Sequence, residues 1–363
     1  MKILGIESSC DDTSVALVEA SDARVVVLAE KTASQIEVHK KYGGVVPEIA
    51  GRKHAENMLP VLEEVMNGYE PPDAIAVTSG PGLLTGLLVG VEVAKALSYL
   101  WNVPMVRTNH IEGHIYSILL QENEKPVINT PTIHFPALCL IVSGGHTELV
   151  LMTDHGVYEK LGGTRDDAVG ECFDKIAKLL GLDYPGGPKV SQLAEQGNTT
   201  AIAFPRPMIT SPDFDMSFSG LKTAALYWLQ DNSDLLYRDS STSDDSAQDD
   251  IKINTVTIHD FCASFEQAIV DVLVKKTKKA MEMYHPKTLI LSGGVSANPK
   301  LREALSQLTA AFPDCQFRRP LPQYCMDNAA MIAMAGYYHA KNNDYTDWKT
   351  VLADPQWHIY PTL

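Results

Sequence analysis

Apolar and polar positions along the chain fall into two similar cycles. The first opens with an alternating run over residues 3–7, which predicts a strand, and the small polar turn Ser8-Ser9-Cys10-Asp11-Asp12-Thr13 follows it. Val15–Glu19 and Arg24–Ala29 read as two returning strands. Lys40–Gly44 reads as a loop, and Pro47 opens a helix that runs to about Asn67. A buried strand over Asp73–Thr78 ends in Ser79-Gly80-Pro81-Gly82, and the helix after it, Leu84–Leu100, is apolar on most faces. Val103–Arg107 is a further strand, and Asn109 is placed to cap a helix whose buried side is Ile111, Ile115, Ile118 and Leu119.

The second cycle begins at Pro136. Ala137–Val142 is a strand, Ser143-Gly144-Gly145-His146-Thr147 a turn, and Glu148–Met152 a returning strand, the same plan as residues 3–19. Helices follow over Asp166–Leu180 and Val190–Gln196, and another runs from the Phe218–Thr223 segment to Leu229. A long helix covers Thr257–Tyr284, and Lys287–Leu291 is a buried strand feeding Ser292-Gly293-Gly294. Pro299 opens a helix to Ala311, Gln316-Phe317 is a short strand, and the last helix is Ala329–Ala340. The duplicated strand–turn–strand unit predicts an α/β protein with two similar lobes facing each other across a cleft. Residues 231–255, centred on Asp239–Ser246, are too polar to repay ordering and read as a mobile surface insertion.

Length and composition narrow this picture. A chain of 363 residues is long enough for about two domains, and 45% hydrophobic with 21% charged content is that of an ordinary globular protein. No stretch supplies the roughly 18 uninterrupted apolar residues of a membrane span. Six scattered cysteines form no CxxC pair, which points to reduced thiols and a cytoplasmic setting. The start, Met1–Glu7, meets an acid too early for a signal peptide. A formal charge of −15 argues against unaided binding of nucleic acid. The basic clusters Lys275-Lys276 with Lys278-Lys279, Arg318-Arg319 and Arg52-Lys53 read as solvated faces.

Candidate chemistry sits at a few places. His110 and His114 are four apart at a helix start, about 40° apart around the axis, so both imidazoles can grip one metal ion; a hydrogen-bonded core pair is the plainer alternative. Asp327, at another helix start, is either an N-cap or a third ligand. The strand–turn junctions at residues 8–13, 79–82, 143–147 and 292–298 offer backbone N–H groups to an anion, or simply need small residues. Acids at Asp11 and Asp12 complicate the first of these, since they repel phosphate unless a cation lies between.

At nearly full length, these pieces resemble TsaD-type tRNA threonylcarbamoyladenosine biosynthesis proteins, within the actin-like/Hsp70/sugar-kinase ATPase superfamily. The resemblance rests on Gly5–Thr13, Ser79–Gly82, Asn109–His114, Val142–Thr147, Gly170–Lys175, Tyr184–Pro188, Ser217–Lys222, Ser292–Asn298 and Asp327–Ala329, in that order. It implies two duplicated actin-like (ribonuclease H-like) lobes with mixed sheets flanked by helices: residues 1–128 with 329–363, and residues 129–328 carrying the insertion. The implied reaction is transfer of threonylcarbamoyl from threonylcarbamoyl-AMP to N6 of adenosine 37 in tRNAs reading codons that begin with A. A divalent metal, iron or else zinc, would be held by His110, His114 and Asp327. The Ser143-Gly144-Gly145 turn, led into by Ile141 and Val142, would approach the donor's phosphate or acyl oxygens. Asp174 and Gly187 would hold the nucleoside and Asn298 its sugar or base edge, with Asp11 or Asp12 positioning the acceptor amine.

The same resemblance implies partners: tRNA, a catalytically degenerate paralogue (TsaB-like) and a P-loop ATPase (TsaE-like), or a homodimer in an organellar relative. The missing targeting extension points to the bacterial case. Three departures from the family pattern stand out: Asp12 where many relatives have Glu, Ser191 where many have an acid, and the 231–255 insertion, which has no expected counterpart. Rival readings are a metallopeptidase, an ATPase or kinase of the same fold, and a scaffold. His-Glu-x-x-His peptidases place the base directly after the first His, where this chain has Ile111; Glu112 lies about 200° around the helix from His110. Magnesium in a kinase prefers oxygen ligands over imidazole.

Overall fold

The computed structural model describes residues 1–121, 132–232 and 256–361. Most of the 231–255 insertion and the expected 128/129 lobe boundary lie outside the described residues. In chain order the elements are β1 (Lys2–Glu7), β2 (Asp12–Ala20), β3 (Val25–Ser34), α1 (Ile36–His39), α2 (Pro47–Met66), β4 (Ala74–Gly80), α3 (Leu84–Trp101), β5 (Met105–Asn109) and α4 (His110–Tyr116). Then come β6 (Ala137–Val142), β7 (Thr147–Asp154), β8 (Val157–Gly163), α5 (Val169–Leu179), α6 (Gly186–Ala194) and α7 (Ser219–Asp231). The chain continues with α8 (Ile258–Tyr284), β9 (Thr288–Ser292), α9 (Pro299–Ala310), β10 (Gln316–Arg318) and α10 (Ala329–Lys341).

Two five-stranded mixed sheets follow one plan. The first has the order β3-β2-β1-β4-β5 and the second β8-β7-β6-β9-β10. In each, three antiparallel strands lead and two parallel strands complete the sheet. The duplication read from the sequence is therefore real, and it includes a third strand, β8, that alternation alone did not reveal. Lys40–Tyr42, expected as loop, forms a 3-10 turn closed by Gly43 at φ 69°, and α6 starts at Gly186, inside the expected turn, rather than at Val190.

Strand alternation sorts the cores. Leu4, Ile6, Ile75 and Val77 face outward onto α2 and α3, while Ile3, Ala74 and Ala76 face inward. In the second sheet Leu138, Leu140 and Val142 face α5 to α9, and Ala137, Cys139 and Ile141 face inward. The two inward faces share one core with α4 and α10 between them. This explains why every residue of α4 is buried, rather than the single stripe its apolar spacing predicts. Helix α10 lies very close on β1 and β4 because the contacts are small. A Cβ on Gly5 would stand 2.1 Å from the carbonyl oxygen of Ala329, and one on Gly336 would stand 2.3 Å from Ala76 Cβ. That close approach fixes the start of α10, and with it Asp327.

Not all basic clusters are solvated. Lys276 is 1% exposed and donates to Ser211 Oγ and the carbonyls of Ser211 and Asp213. Lys279 reaches the Pro212 carbonyl. These lysines pin an irregular segment that lacks secondary structure of its own, so burial overrides the expectation of a solvated face there. Among the described residues only Leu84–Trp101 is long and apolar enough to cross a membrane, and it packs on α2 and β4.

Candidate active site and metal centre

The turns after β1 and β6 face each other across a cleft of about 760 Å³, with the starts of α4 and α10 at its floor. Its lining brings together Asp11, Asp12, His110, Ser143, Gly144, Gly145, Asp174 and Asp327. His114 sits fully buried behind His110. Ile141 and Val142 are fully buried strand residues leading into the Ser143 turn. Gly187 and Asn298 are not brought to the cleft wall.

The Asn109 side chain accepts from the Ile111 N–H and starts α4, as its position predicts. His110 and His114 then stand one turn apart, with ring centroids at 4.7 Å. Asp327 Oδ1 lies 3.5 Å from His110 Nε2 and 3.2 Å from His114 Nε2, and the three ligating atoms fall within 4.8 Å of one another. Asp327 is not the helix cap. Asn328 is, its side chain accepting from the Met331 N–H. Of the two roles the sequence leaves open for Asp327, the cap falls to Asn328, which suits it equally by type, and this leaves the Asp327 carboxylate free to turn to the histidines.

Both ring nitrogens of His114 are buried without a well-aligned hydrogen-bond partner. A buried imidazole without an aligned hydrogen bond is costly in a protein core, and a cation held between the three side chains would relieve it. Two imidazoles and one carboxylate suit a transition metal such as iron or zinc. Burial works against charge on His110, but Asp327 and Glu7 raise its pKa to about 9. Burial, reinforced by His110 and His114 and opposed by Glu148 and Asp327, lowers His146, in the facing turn, to about 4. Asp327 is held well below the carboxylate range: burial opposes this, and the two imidazoles overcome it.

Sequence reasoning missed Glu7. Its carboxylate is fully buried and accepts from Ser9 N–H at 2.6 Å and Thr78 Oγ1 at 2.7 Å, with His110 Nδ1 at 3.1 Å. The signal was an acid closing an otherwise apolar strand. Asp12 is the opposite case: burial, opposed by a Ser34 hydrogen bond and reinforced by Asp327 and Asp11, pushes its pKa up to about 7. Burial also raises Asp11 and Asp174. Asp174 accepts from the Gly186 N–H at 2.7 Å, at the start of α6.

The glycine turns divide sharply. At Ser79–Gly82 the donors are already used: Leu83 N–H bonds the Ser9 carbonyl and Gly82 N–H the Pro355 carbonyl. This junction serves packing against the C-terminal segment and offers no anion cradle. At Ser143–Gly145 the case is reversed. Gly144 and Gly145 are exposed to the cleft, no atom lies within 4 Å of an added Cβ, and their N–H groups meet no acceptor among the described residues. Asn298 caps α9 and donates to Ser191 Oγ and Glu266 Oε1, so its amide is engaged inside the protein. Ser191 itself bonds Glu266, which brings a carboxylate beside the position where an acid is missing.

Glu112 is turned away from the metal face. Its oxygens take Tyr158 Oη at 2.8 Å and His339 Nε2 at 2.7 Å. A peptidase base is absent from that position.

The sequence model of the family described as "TsaD: tRNA N6-adenosine threonylcarbamoyltransferase" matches residues 26–334. The chain belongs to the TsaD family. Curated TsaD-family relatives bearing that enzyme name include the protein of Desulfitobacterium hafniense, 45% identical over 96% of this chain and 95% of its own length. The Bacillus subtilis protein is 45% identical over 93% and 90%, and that of Burkholderia ambifaria 47% over 93% and 91%. Among solved structures, full-length HypF in a phosphate- and nucleotide-bound form aligns at TM-score 0.56 and 12% identity, covering 96% of this chain and 47% of HypF. The activator of 2-hydroxyisocaproyl-CoA dehydratase from Clostridium difficile aligns at TM-score 0.50 and 12% identity, over 95% and 97%. These likenesses carry the fold alone, and they place this TsaD chain among the actin-like, two-lobed α/β proteins.

Proposed function

We propose that this chain transfers the threonylcarbamoyl group from threonylcarbamoyl-AMP to N6 of adenosine 37 in tRNA. The observation that carries the reading is the meeting, in one cleft, of His110, His114 and Asp327 with the open Ser143–Gly145 turn, in a TsaD-family chain. The donor is a mixed anhydride, so its leaving group is already good. N6 attacks the carbamoyl carbon, the bond to the AMP oxygen breaks, and the proton on N6 must be accepted.

The chain's own groups divide these tasks. The N–H groups of Gly144 and Gly145 are placed to receive the donor's phosphate or acyl oxygens. Asp174, in α5 with its carboxylate on the Gly186 N–H that starts α6, lines the cleft and would hold the nucleoside. Asp12, with one buried carboxylate oxygen unpaired, or its neighbour Asp11, orients the amine and accepts the proton. His110, His114 and Asp327 would hold one divalent cation, iron or else zinc, which when bound would polarise the carbamoyl carbonyl or anchor the threonyl carboxylate. Gly187 and Asn298 support the nucleoside wall from behind.

Partner subunits, a degenerate paralogue and a P-loop ATPase, fit the apolar face that α2 and α3 leave outward, where Leu59, Leu84, Leu88, Tyr99 and Leu100 are 43–71% exposed. The reading sets the protein to work in the cytoplasm, where tRNA is.

The test is incubation of the purified, metal-loaded protein and its partners with threonylcarbamoyl-AMP and unmodified tRNA. Formation of the threonylcarbamoylated adenosine is expected. No product would sink the function, and full activity after metal removal would sink the metal's role. Elemental analysis of protein purified without chelators identifies the metal.

A further inference from the structure

We propose that the rim formed by Lys40-Lys41-Tyr42 and Lys178 is the landing surface for the single-stranded loop of the RNA substrate, with Tyr42 stacking on a base beside the target adenosine. This rests on the tRNA-modifying function above. The floor of the cleft is acidic, with Asp11, Asp12, Asp174 and Asp327 around it, and the chain carries a net −15. A polyanion approaching that opening needs compensating charge at the mouth.

The mouth supplies it. Gly43 and Gly44 from one lobe, and Lys178 and Tyr184 from the other, line the cleft entrance. Lys178, in the last turn of α5, reaches across so that a Cβ on Gly43 would meet its Nζ at 3.3 Å. Lys40 Nζ lies 3.3 Å from Asp183, which Lys189 also approaches at 3.1 Å, so two lysines share one carboxylate. Lys41 and Lys178 are exposed and pair with no acid among the described residues. Lys276 and Lys279 of α8, by contrast, are spent on carbonyl groups.

Tyr42 is 57% exposed beside these lysines. Its exposure is held in place by an ordered turn. His39, fully buried, bonds Gln35 Oε1 at 3.1 Å and accepts from Val46 N–H at 3.3 Å, which staples both ends of the segment. Gly43, at φ 69°, closes the 3-10 turn. A turn tied down at both ends that carries an exposed tyrosine next to unpaired Lys41, with unpaired Lys178 against the following Gly43, matches the way single-stranded RNA is held, with bases on rings and phosphates on cations. A base that enters the cleft must leave its stack, and its neighbour then has an exposed face for Tyr42.

The experiment measures binding of a labelled anticodon stem-loop RNA to the full-length, metal-loaded chain at several salt concentrations, beside the transfer assay on whole tRNA. Tyr42→Ala is expected to weaken RNA binding about tenfold and Tyr42→Phe to bind like wild type, since stacking needs only the ring. Tyr42→Ala should leave its affinity for threonylcarbamoyl-AMP unchanged. Lys41→Glu with Lys178→Glu should weaken binding by at least about tenfold and lower the log–log salt slope by about two, one per lost phosphate contact. Lys278→Glu, in the other lysine cluster, should change neither. The proposal is overturned if the rim variants keep wild-type affinity and slope, if Lys278→Glu loses as much, or if the wild-type chain does not bind the RNA. If the rim variants lose RNA binding but wild type modifies no tRNA, the rim stands and the proposed reaction fails.

Discussion

Glu7 Oε2 lies 3.1 Å from His110 Nδ1, on the opposite edge of the ring from the nitrogen that faces Asp327. The pair fixes which nitrogen of His110 carries the proton and leaves Nε2 free for a cation, as carboxylate–histidine pairs do in metal sites. Burial works to raise the pKa of Glu7, and His110 with the Ser9 hydrogen bond brings it below the ordinary carboxylate value. Glu7→Gln places an NH2 group against donors that need an acceptor. A loss of roughly 10–100-fold in metal affinity is expected, measured by chelator competition. Thr78→Val should show a smaller loss in the same direction. Unchanged affinity in Glu7→Gln would separate Glu7 from the metal site.

His114 has no aligned partner for either ring nitrogen. Metal-stripped protein should therefore gain stability on addition of Fe2+ or Zn2+, by about 2.7 kcal/mol at a hundredfold excess over Kd. In His114→Ala this thermal shift should vanish, together with transfer activity. A persistent shift in that variant would show that the ion binds elsewhere.

His339 couples the far side of α4 to pH. Burial opposes its charge, but Glu112 on one nitrogen and Asp344 on the other raise its pKa from 6.5 to about 9. A histidine whose folded pKa is raised stabilises the protein fully below pH 6.5, and that contribution fades as pH rises through about 9. The loss should be on the order of 2 kcal/mol, allowing for partial exposure. Denaturant unfolding at a series of pH values should show this slope in wild type and a flatter profile in His339→Gln. Glu112→Gln should also flatten it while retaining transfer. Complete loss of turnover in a stably folded Glu112→Gln would reopen a catalytic role for Glu112.

Two glycine turns that look alike in sequence should respond in opposite ways. Gly144→Ala adds a Cβ to open space, so stability should hold while donor affinity falls by about tenfold. Gly80→Ala would place its Cβ 1.8 Å from the Asp354 carbonyl oxygen, at φ 156°, and should destabilise by about 3 kcal/mol or more. Thermal melts and adenylate titrations of the two variants decide this. Equal melting temperatures would contradict the packing at Gly80.

The sequence by itself determined what is local. The alternating run over residues 3–7 and the continuous apolar run over 137–142 set the central strands and their duplication. Helix α8 runs to Tyr284 from an N-cap at Thr257, where the long helix is expected to begin, Asn109 caps α4 as its position predicts, and the i, i+4 spacing put both imidazoles on one face. Each of these depends on residues a few positions apart, where helix and strand geometry leave little choice.

What lay beyond that reach needed the folded chain. Neighbouring residues Asp327 and Asn328 both suit a cap, and only the packing of α10 on Gly5 and Ala76 assigns the cap to Asn328 and the carboxylate to the histidines. Glu7 meets His110 across 103 positions, and Glu112 meets His339 across 227. The turns at Gly80 and Gly144 differ only in what the rest of the chain lays over them. Such pairings depend on which faces the two sheets bury against α4 and α10. Tertiary packing settles that, because hydrophobic periodicity shows that a side is buried but not what it is buried against.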